Sequence, residues 1–403
     1  MTKWRDGSLR YRFVWLAFFL FLLFGWEKSG QAATTVPLFI QSKGASAPVY
    51  AYVANEVQRV GTMYSDRVFE VIDENEHYFF IQYGFVKGMV KKDEAKLGRP
   101  YSFAHGPDRL RKSVITTREA QVYSFQNGKK QAIGSIQPGV RYPIKAETAL
   151  FYLIEFGGRD GYIYKHVTEK DHGVPVLLYH HILDDSDEPL FRSTTTVPFS
   201  QFFNEMTYLK ENGYTAITPD LLLAYVRKER LLPPKSVLIT FDDGLKSTYI
   251  YAYPLLKQYG FRATVFMITG RMRPSPQPFD PTGLQFLSKQ EIAQMRDIIA
   301  FESHTNHFHL SDKKYGPYLL FKPYEEVMAD LLASKEKIGA MAIAYPFGAY
   351  NERVVDMVQQ VGFTMAFTTK KGTVYPGDPV FELKRQWVYP RISLRQFEQL
   401  LRP

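Results

Sequence analysis

Two stretches of the chain repeat at one fixed offset, and this repeat constrains the first half of the fold more tightly than any other feature. VYAYVANEVQRVGTM begins at Val49 and VYSFQNGKKQAIGSI at Val122, an offset of 122 − 49 = 73 residues. The same offset pairs Gly61 with Gly134, Phe69 with Tyr142, Val71 with Ile144 and Phe80 with Leu153. It also pairs Ile81 with Ile154, Gly84 with Gly157 and Gly88 with Gly161. No gap is needed, so the pattern reads as a tandem duplication. Each unit contains an aromatic strand, a glycine turn and a second short strand, as in YFFIQYGFVKGMVKK and FYLIEFGGRDGYIYKH. The expectation is two superposable small β-barrels over 45–93 and 117–168. A single sheet running through both is the outcome this reading excludes.

After Lys170 the pattern changes. Apolar strands alternate with amphipathic segments such as PFSQFFNEMTYLKENGY and STYIYAYPLLKQYGF. Strand and helix in alternation over 174–403 predict an α/β layer or barrel domain.

At 403 residues the chain is long enough for two or three domains. It has no cysteine, which excludes disulfides, thiolate metal sites, cysteine nucleophiles and lipid attachment through an N-terminal cysteine. Its 27 Tyr and 31 Phe suit β-rich modules and sugar-facing surfaces. The net charge of +9 is compatible with nucleic acid, a membrane surface or an acidic polymer. No basic run is long enough to favour nucleic acid, and an anionic cell envelope fits as well. At the N-terminus Lys3, Arg5, Arg10 and Arg12 precede FVWLAFFLFLLFGW, and small residues follow in KSGQAATT. The apolar run falls short of the ~20 residues of a comfortable membrane span. Residues 1–33 therefore read as a secretory signal cleaved near Ala32 or Ala33, or as an uncleaved membrane anchor. Either makes the protein secreted or envelope-associated.

Three motifs of the second half carry chemistry. In SVLITFDDGLKS an apolar strand leads into Asp242, Asp243 and Gly244. Two carboxylates at a strand's end can divide the work of binding a metal and taking a proton from water, although an Asp-Gly turn is common after strands. FESHTNHFHL holds His304, His307 and His309, a metal-ligand density. A helix would put His304 and His307 on one face, and a strand would put His307 and His309 together. His304 with His309 requires an irregular loop. AIAYPFGAYN runs from a strand into Pro-Phe-Gly, where a turn can aim backbone N–H groups at a developing oxyanion.

TFDDG, SHTNHFH and YPFG together resemble the polysaccharide deacetylase family with the NodB-type domain, over about 174–403. The resemblance implies a distorted (β/α) barrel and removal of N-acetyl groups from N-acetylglucosamine units of a polysaccharide. It implies Asp242 as catalytic base and Asp243 as a ligand of a divalent metal, most simply Zn2+. The usual histidine spacing in the family is four, which here would offer Phe308. A spacing of five resembles the branch that deacetylates poly-β-1,6-N-acetylglucosamine and implies His304 and His309 as ligands, with His307 a neighbour. That branch takes its general acid from an early Tyr-His at a strand's end, which LLYHHI matches at His180. His181 reads as structural. Many members carry an Arg four residues before the Gly of the third motif, where this chain has Ala344. Either Asp242 is held otherwise, or Arg391 in YPRISL reaches it. The resemblance also implies Phe347 as the donor of an oxyanion N–H and Trp387 as a residue lining the acetyl pocket.

The two repeats resemble bacterial SH3-type domains, which implies a cell-wall polymer as partner beside the acetylated amino-sugar substrate. As separate bodies they would be removable with little loss of turnover on short substrates. Rival readings are a wall-binding protein with an impaired catalytic domain, and a deacetylase of peptidoglycan or of O-acetyl esters.

Overall fold

The computed structural model describes residues 37–65, 67–99, 112–126, 128–191 and 193–402. The signal or anchor expected over 1–33 lies outside them. No helix among the described residues is long and apolar enough to cross a membrane.

The C-terminal half is a closed parallel barrel. Its strands are Val176–Tyr179, Ser236–Phe241, Ala263–Met267, Ile299–Ser303, Ala342–Ala344, Met365–Lys371 and Leu383–Trp387. Neighbours pair in parallel in the ring order first, last, sixth, fifth, fourth, third, second. The first strand closes the ring on the second, with Leu178 opposite Thr240, and on the last, with Leu178 opposite Trp387. A short strand, Thr215–Ala216, joins Ser236–Phe241 from outside the ring. Alternation along the second strand decides what faces inward. Val237, Ile239 and Phe241 share a core with Phe202, Met206 and Leu209 of helix Phe199–Glu211 and with Leu255 and Leu256 of helix Tyr253–Tyr259. Leu238 instead packs with Phe266 and Phe367. Asp242, next in the series Leu238, Thr240, is thereby directed to the barrel's axis at its C-terminal rim. The outer helices are amphipathic: Glu352–Gln360 buries Val354, Met357 and Val358, the i, i+3, i+4 pattern.

The N-terminal half is all β, but it is not two separate barrels. One 12-stranded sheet runs through both repeats, and one apolar core spans them. The correction has a symmetric form. Strand Glu56–Tyr64 pairs antiparallel with its own copy, Lys129–Ile136, with Gly134 opposite Met63, Ser135 opposite Thr62 and Ile136 opposite Gly61. Shifting by 73 exchanges the outer pairs and returns the central one to itself. Tyr83 likewise pairs with its copy Phe156. The edge-on contact of Phe69 with Phe156 has its mate in that of Tyr83 with Tyr142. The copies thus meet as an isologous pair within one chain, so a continuous sheet does not exclude a duplication. Glycine is required where they cross. A Cβ on Gly61 would collide with the Tyr83 hydroxyl and the Ser135 carbonyl, and one on Gly134 with Phe156 and the Thr62 carbonyl.

This all-β half is also docked onto the barrel. Arg141 and Asp171 form a fully buried ion pair. Arg141 Nη2 donates to the Pro234 carbonyl at 2.6 Å, and Asp171 accepts from Ser113 Oγ at 2.6 Å and Gly173 N at 2.9 Å. Leu231 exchanges backbone hydrogen bonds with Tyr52 and Ala54 and enters the core of the repeats.

Candidate active site

The C-terminal ends of the barrel strands gather the candidate residues, the end at which barrel enzymes carry their chemistry. Asp242 is buried and gripped from two sides: Arg385 Nη1 donates to Oδ1 at 2.7 Å and Nη2 to Oδ2 at 2.8 Å. Arg385 stands on the last strand and is itself oriented by Nε donating to the Thr368 carbonyl at 2.9 Å. Burial opposes the charge on Asp242, but Arg385 and the neighbouring histidines outweigh it and hold the carboxyl well below the usual range.

Asp243 and Gly244 follow with φ of 74° and 71°. Aspartate tolerates this left-handed region, and the two residues turn the chain off the strand. Asp243 Oδ1 is buried without a hydrogen-bond partner. His309 Nε2 lies 3.4 Å from it and His304 Nε2 3.7 Å from it. The ligand atoms of Asp243, His304 and His309 all lie within 4.8 Å of one another. His304 Nδ1 donates to the Ala344 carbonyl at 2.7 Å, so Nε2 carries the lone pair of the neutral ring. Burial pushes His304 down to about 3 and lowers His309 too, which keeps both rings available as ligands. Burial raises Asp243 to about 6, with neighbouring His180 opposing and the Asp242 charge adding. One carboxylate oxygen, otherwise unpaired, and two imidazole nitrogens form a donor set that fits a divalent cation of the zinc type.

The spacing of five works through an irregular loop, with Thr305 at φ 71°. His307 stands outside the group: its backbone N–H donates to Asp330 Oδ1 at 2.7 Å and its ring lies against Gly270.

His180 follows the first barrel strand and is an electrostatic neighbour of both Asp242 and Asp243. Its ring centroid is 5.7 Å from that of Trp387, and its Nδ1 is buried without a partner. His181 turns the other way, with Nδ1 3.2 Å from Thr196 Oγ1 and its ring edge-on to Phe191. Burial lowers it to about 4. Phe347 sits in its turn at φ 60°, with its ring 4.5 Å from His309. Arg391 does not reach Asp242. Its Nη2 is bound to Glu188 at 2.7 and 2.8 Å. Arg385 holds the aspartate instead. The signal for it was the alternation Leu383, Arg385, Trp387 on a strand that ends at the rim.

A closed parallel barrel with paired carboxylates and imidazoles at its rim defines a barrel enzyme. Residues 230–366 match the family model described as polysaccharide deacetylase. Over 234 residues the chain is 31% identical to “Putative polysaccharide deacetylase YxkH” of Bacillus subtilis (strain 168), covering 56% of this chain and 75% of that protein. Over 217 residues it is 29% identical to the poly-beta-1,6-N-acetyl-D-glucosamine N-deacetylase of Staphylococcus aureus (strain MSSA476), covering 51% of this chain and 71% of that protein. A solved structure of IcaB from Ammonifex degensii is 26% identical, covers 57% of this chain and 96% of that one, and gives a TM-score of 0.48. The chain belongs to the polysaccharide deacetylase family. It is an enzyme, a hydrolase acting on carbon–nitrogen bonds other than peptide bonds.

Proposed function

We propose that the protein removes N-acetyl groups from N-acetylglucosamine units of an extracellular or cell-wall polysaccharide, with a divalent cation, most simply Zn2+, held by Asp243, His304 and His309. The observation that carries this reading is the convergence of those three ligand atoms beside Asp242, which is paired with Arg385. When bound, the cation supplies Lewis acidity for hydrolysis of the acetamide. Asp242, kept ionised by Arg385, accepts the proton of the attacking water. The Phe347 N–H donates to the oxygen on which charge develops. His180 gives a proton to the departing nitrogen. The amide carbon–nitrogen bond breaks, a carbon–oxygen bond forms, and the products are acetate and a free amine that becomes cationic.

The family Arg is absent at Ala344, and Arg385 on Asp242 stands in its place, which speaks against an impaired enzyme. The relative acting on poly-β-1,6-N-acetyl-D-glucosamine supports that polymer as substrate. The N-terminal β half, with its SH3-like repeats at 45–93 and 117–168, serves in this reading to keep the enzyme at the wall. The leader at 1–33 carries it there or anchors it in the membrane.

The test is acetate release by the purified protein from poly-β-1,6-N-acetylglucosamine oligomers, from peptidoglycan and from O-acetyl esters. Release from the first supports the reading. Release from either of the others alone moves the substrate, and release from none rejects the activity. His180→Ala should lower turnover by roughly 10²–10⁴-fold with metal content unchanged, the scale for losing an acid–base group. His181→Ala should do much less.

A further inference from the structure

Beside the mouth stands an aromatic ring whose position is over-determined and which no step above uses. Tyr389 is 49% exposed. Its ring lies flat on Trp387, with centroids 5.1 Å apart and planes 13° from parallel. Trp387 in turn lies beside His180. The three rings form a ladder from the candidate general acid to solvent.

The backbone under the ladder is held from both sides. Gln201 Nε2 donates to the Tyr389 carbonyl at 2.9 Å, and the Gln201 Oε1 accepts from Arg391 N. Pro390 lies between them, and Arg391 takes a φ of 63° while its side chain is clamped by Glu188. A half-exposed tyrosine on an ordinary surface loop needs no such support. One whose face must meet a ligand does, because an ordered platform loses little entropy on binding. The Trp387 Nε1 is a buried donor without a partner at the foot of the same ladder. Phe347, 52% exposed and tilted against His309, supplies a second ring at the mouth.

We propose that Tyr389 is a specificity-determining residue: its ring carries the sugar unit adjacent to the one being deacetylated, so that the enzyme prefers a chain to a single unit. The inference rests on the proposed polysaccharide substrate. The C–H face of a pyranose is apolar and flat enough to lie on a ring of this kind. The hydroxyls around it remain in water, which suits a platform open to solvent.

The test compares the N-acetylglucosamine monomer with its β-1,6-linked tetramer, using the wild-type chain, Tyr389→Ala and Tyr389→Phe. Acetate release gives kcat and KM, and calorimetry gives tetramer binding. For Tyr389→Ala the preference for tetramer over monomer should fall roughly tenfold, the scale of one lost ring contact. The loss should lie in KM, and tetramer binding should weaken in step. Tyr389→Phe should restore both. Equal losses on the two substrates, carried by kcat, would mean that Tyr389 only braces Trp387 and would overturn the proposal. So would an unchanged preference. A wild-type chain that releases no acetate but binds the tetramer through Tyr389 would sink the reaction and keep the platform.

Discussion

Arg385 holds both carboxylate oxygens of Asp242, at 2.7 and 2.8 Å, from a strand 143 residues further along the chain. The pair is buried on both sides, with 1% and 3% side-chain exposure. This pairing holds the Asp242 carboxyl well below the usual range despite its burial.

Arg385→Met should therefore undo the depression. Removing the cation removes the main cause holding the Asp242 carboxyl low, and burial then drives it upward. The ionised form appears only at higher pH, so the acidic limb of kcat/KM moves to higher pH. Turnover at neutral pH should fall by roughly 10²–10⁴-fold. A pH–rate profile checks this, and an acidic limb that stays in place would show that Arg385 does not set the base.

Much of this site could be read along the sequence, because its members end strands or share a short loop. Asp242 and Asp243 close an apolar run, and His304 and His309 lie five apart. The choice among three histidines followed only from the family spacing of five and not from the residues alone, because it depends on the left-handed turn at Thr305 and on where His307 is drawn by Asp330 and Gly270. Arg385 was missed because adjacent Lys384 and Arg385 look alike until the barrel closes and only one faces its axis. The repeat itself was legible, whereas the pairing of each copy with the other was not. Such pairing depends on strands that meet only after folding.

The junction between the halves makes the N-terminal repeats hard to remove. Arg141→Ala leaves the buried Asp171 charge without its partner. Loss of one member of a buried pair costs about 3–5 kcal/mol, so the whole chain should unfold at markedly lower denaturant. Deleting residues 38–170 should likewise destabilise the barrel, contrary to the behaviour of separate modules. Denaturation monitored on the full chain and on the truncated one decides it, and a truncated barrel of undiminished stability would show the halves to be independent.

Behind the mouth, Glu205 accepts hydrogen bonds from the Tyr179 hydroxyl at 2.7 Å and from Gln201 Nε2 at 2.8 Å. Burial raises it from 4.5 to about 7. A carboxyl raised by folding binds its proton more tightly in the folded state, so its contribution is fully present below pH 4.5. It is lost as pH climbs through about 7. The contribution is on the order of 3 kcal/mol at most. Glu205→Gln should flatten the fall in Tm between those limits, and an identical fall in both proteins would remove Glu205 as the cause.

The central claim is hydrolysis of an acetylated amino-sugar polymer at a metal held by Asp243, His304 and His309, and its most direct measurement is acetate release before and after chelation. Treatment of the wild-type chain with a chelator should abolish release from poly-β-1,6-N-acetylglucosamine oligomers, and added Zn2+ should restore it with one bound ion per chain. Asp243→Ala should bind no ion and recover nothing. Full activity in the chelated, metal-free protein, or restoration in Asp243→Ala, would contradict the account.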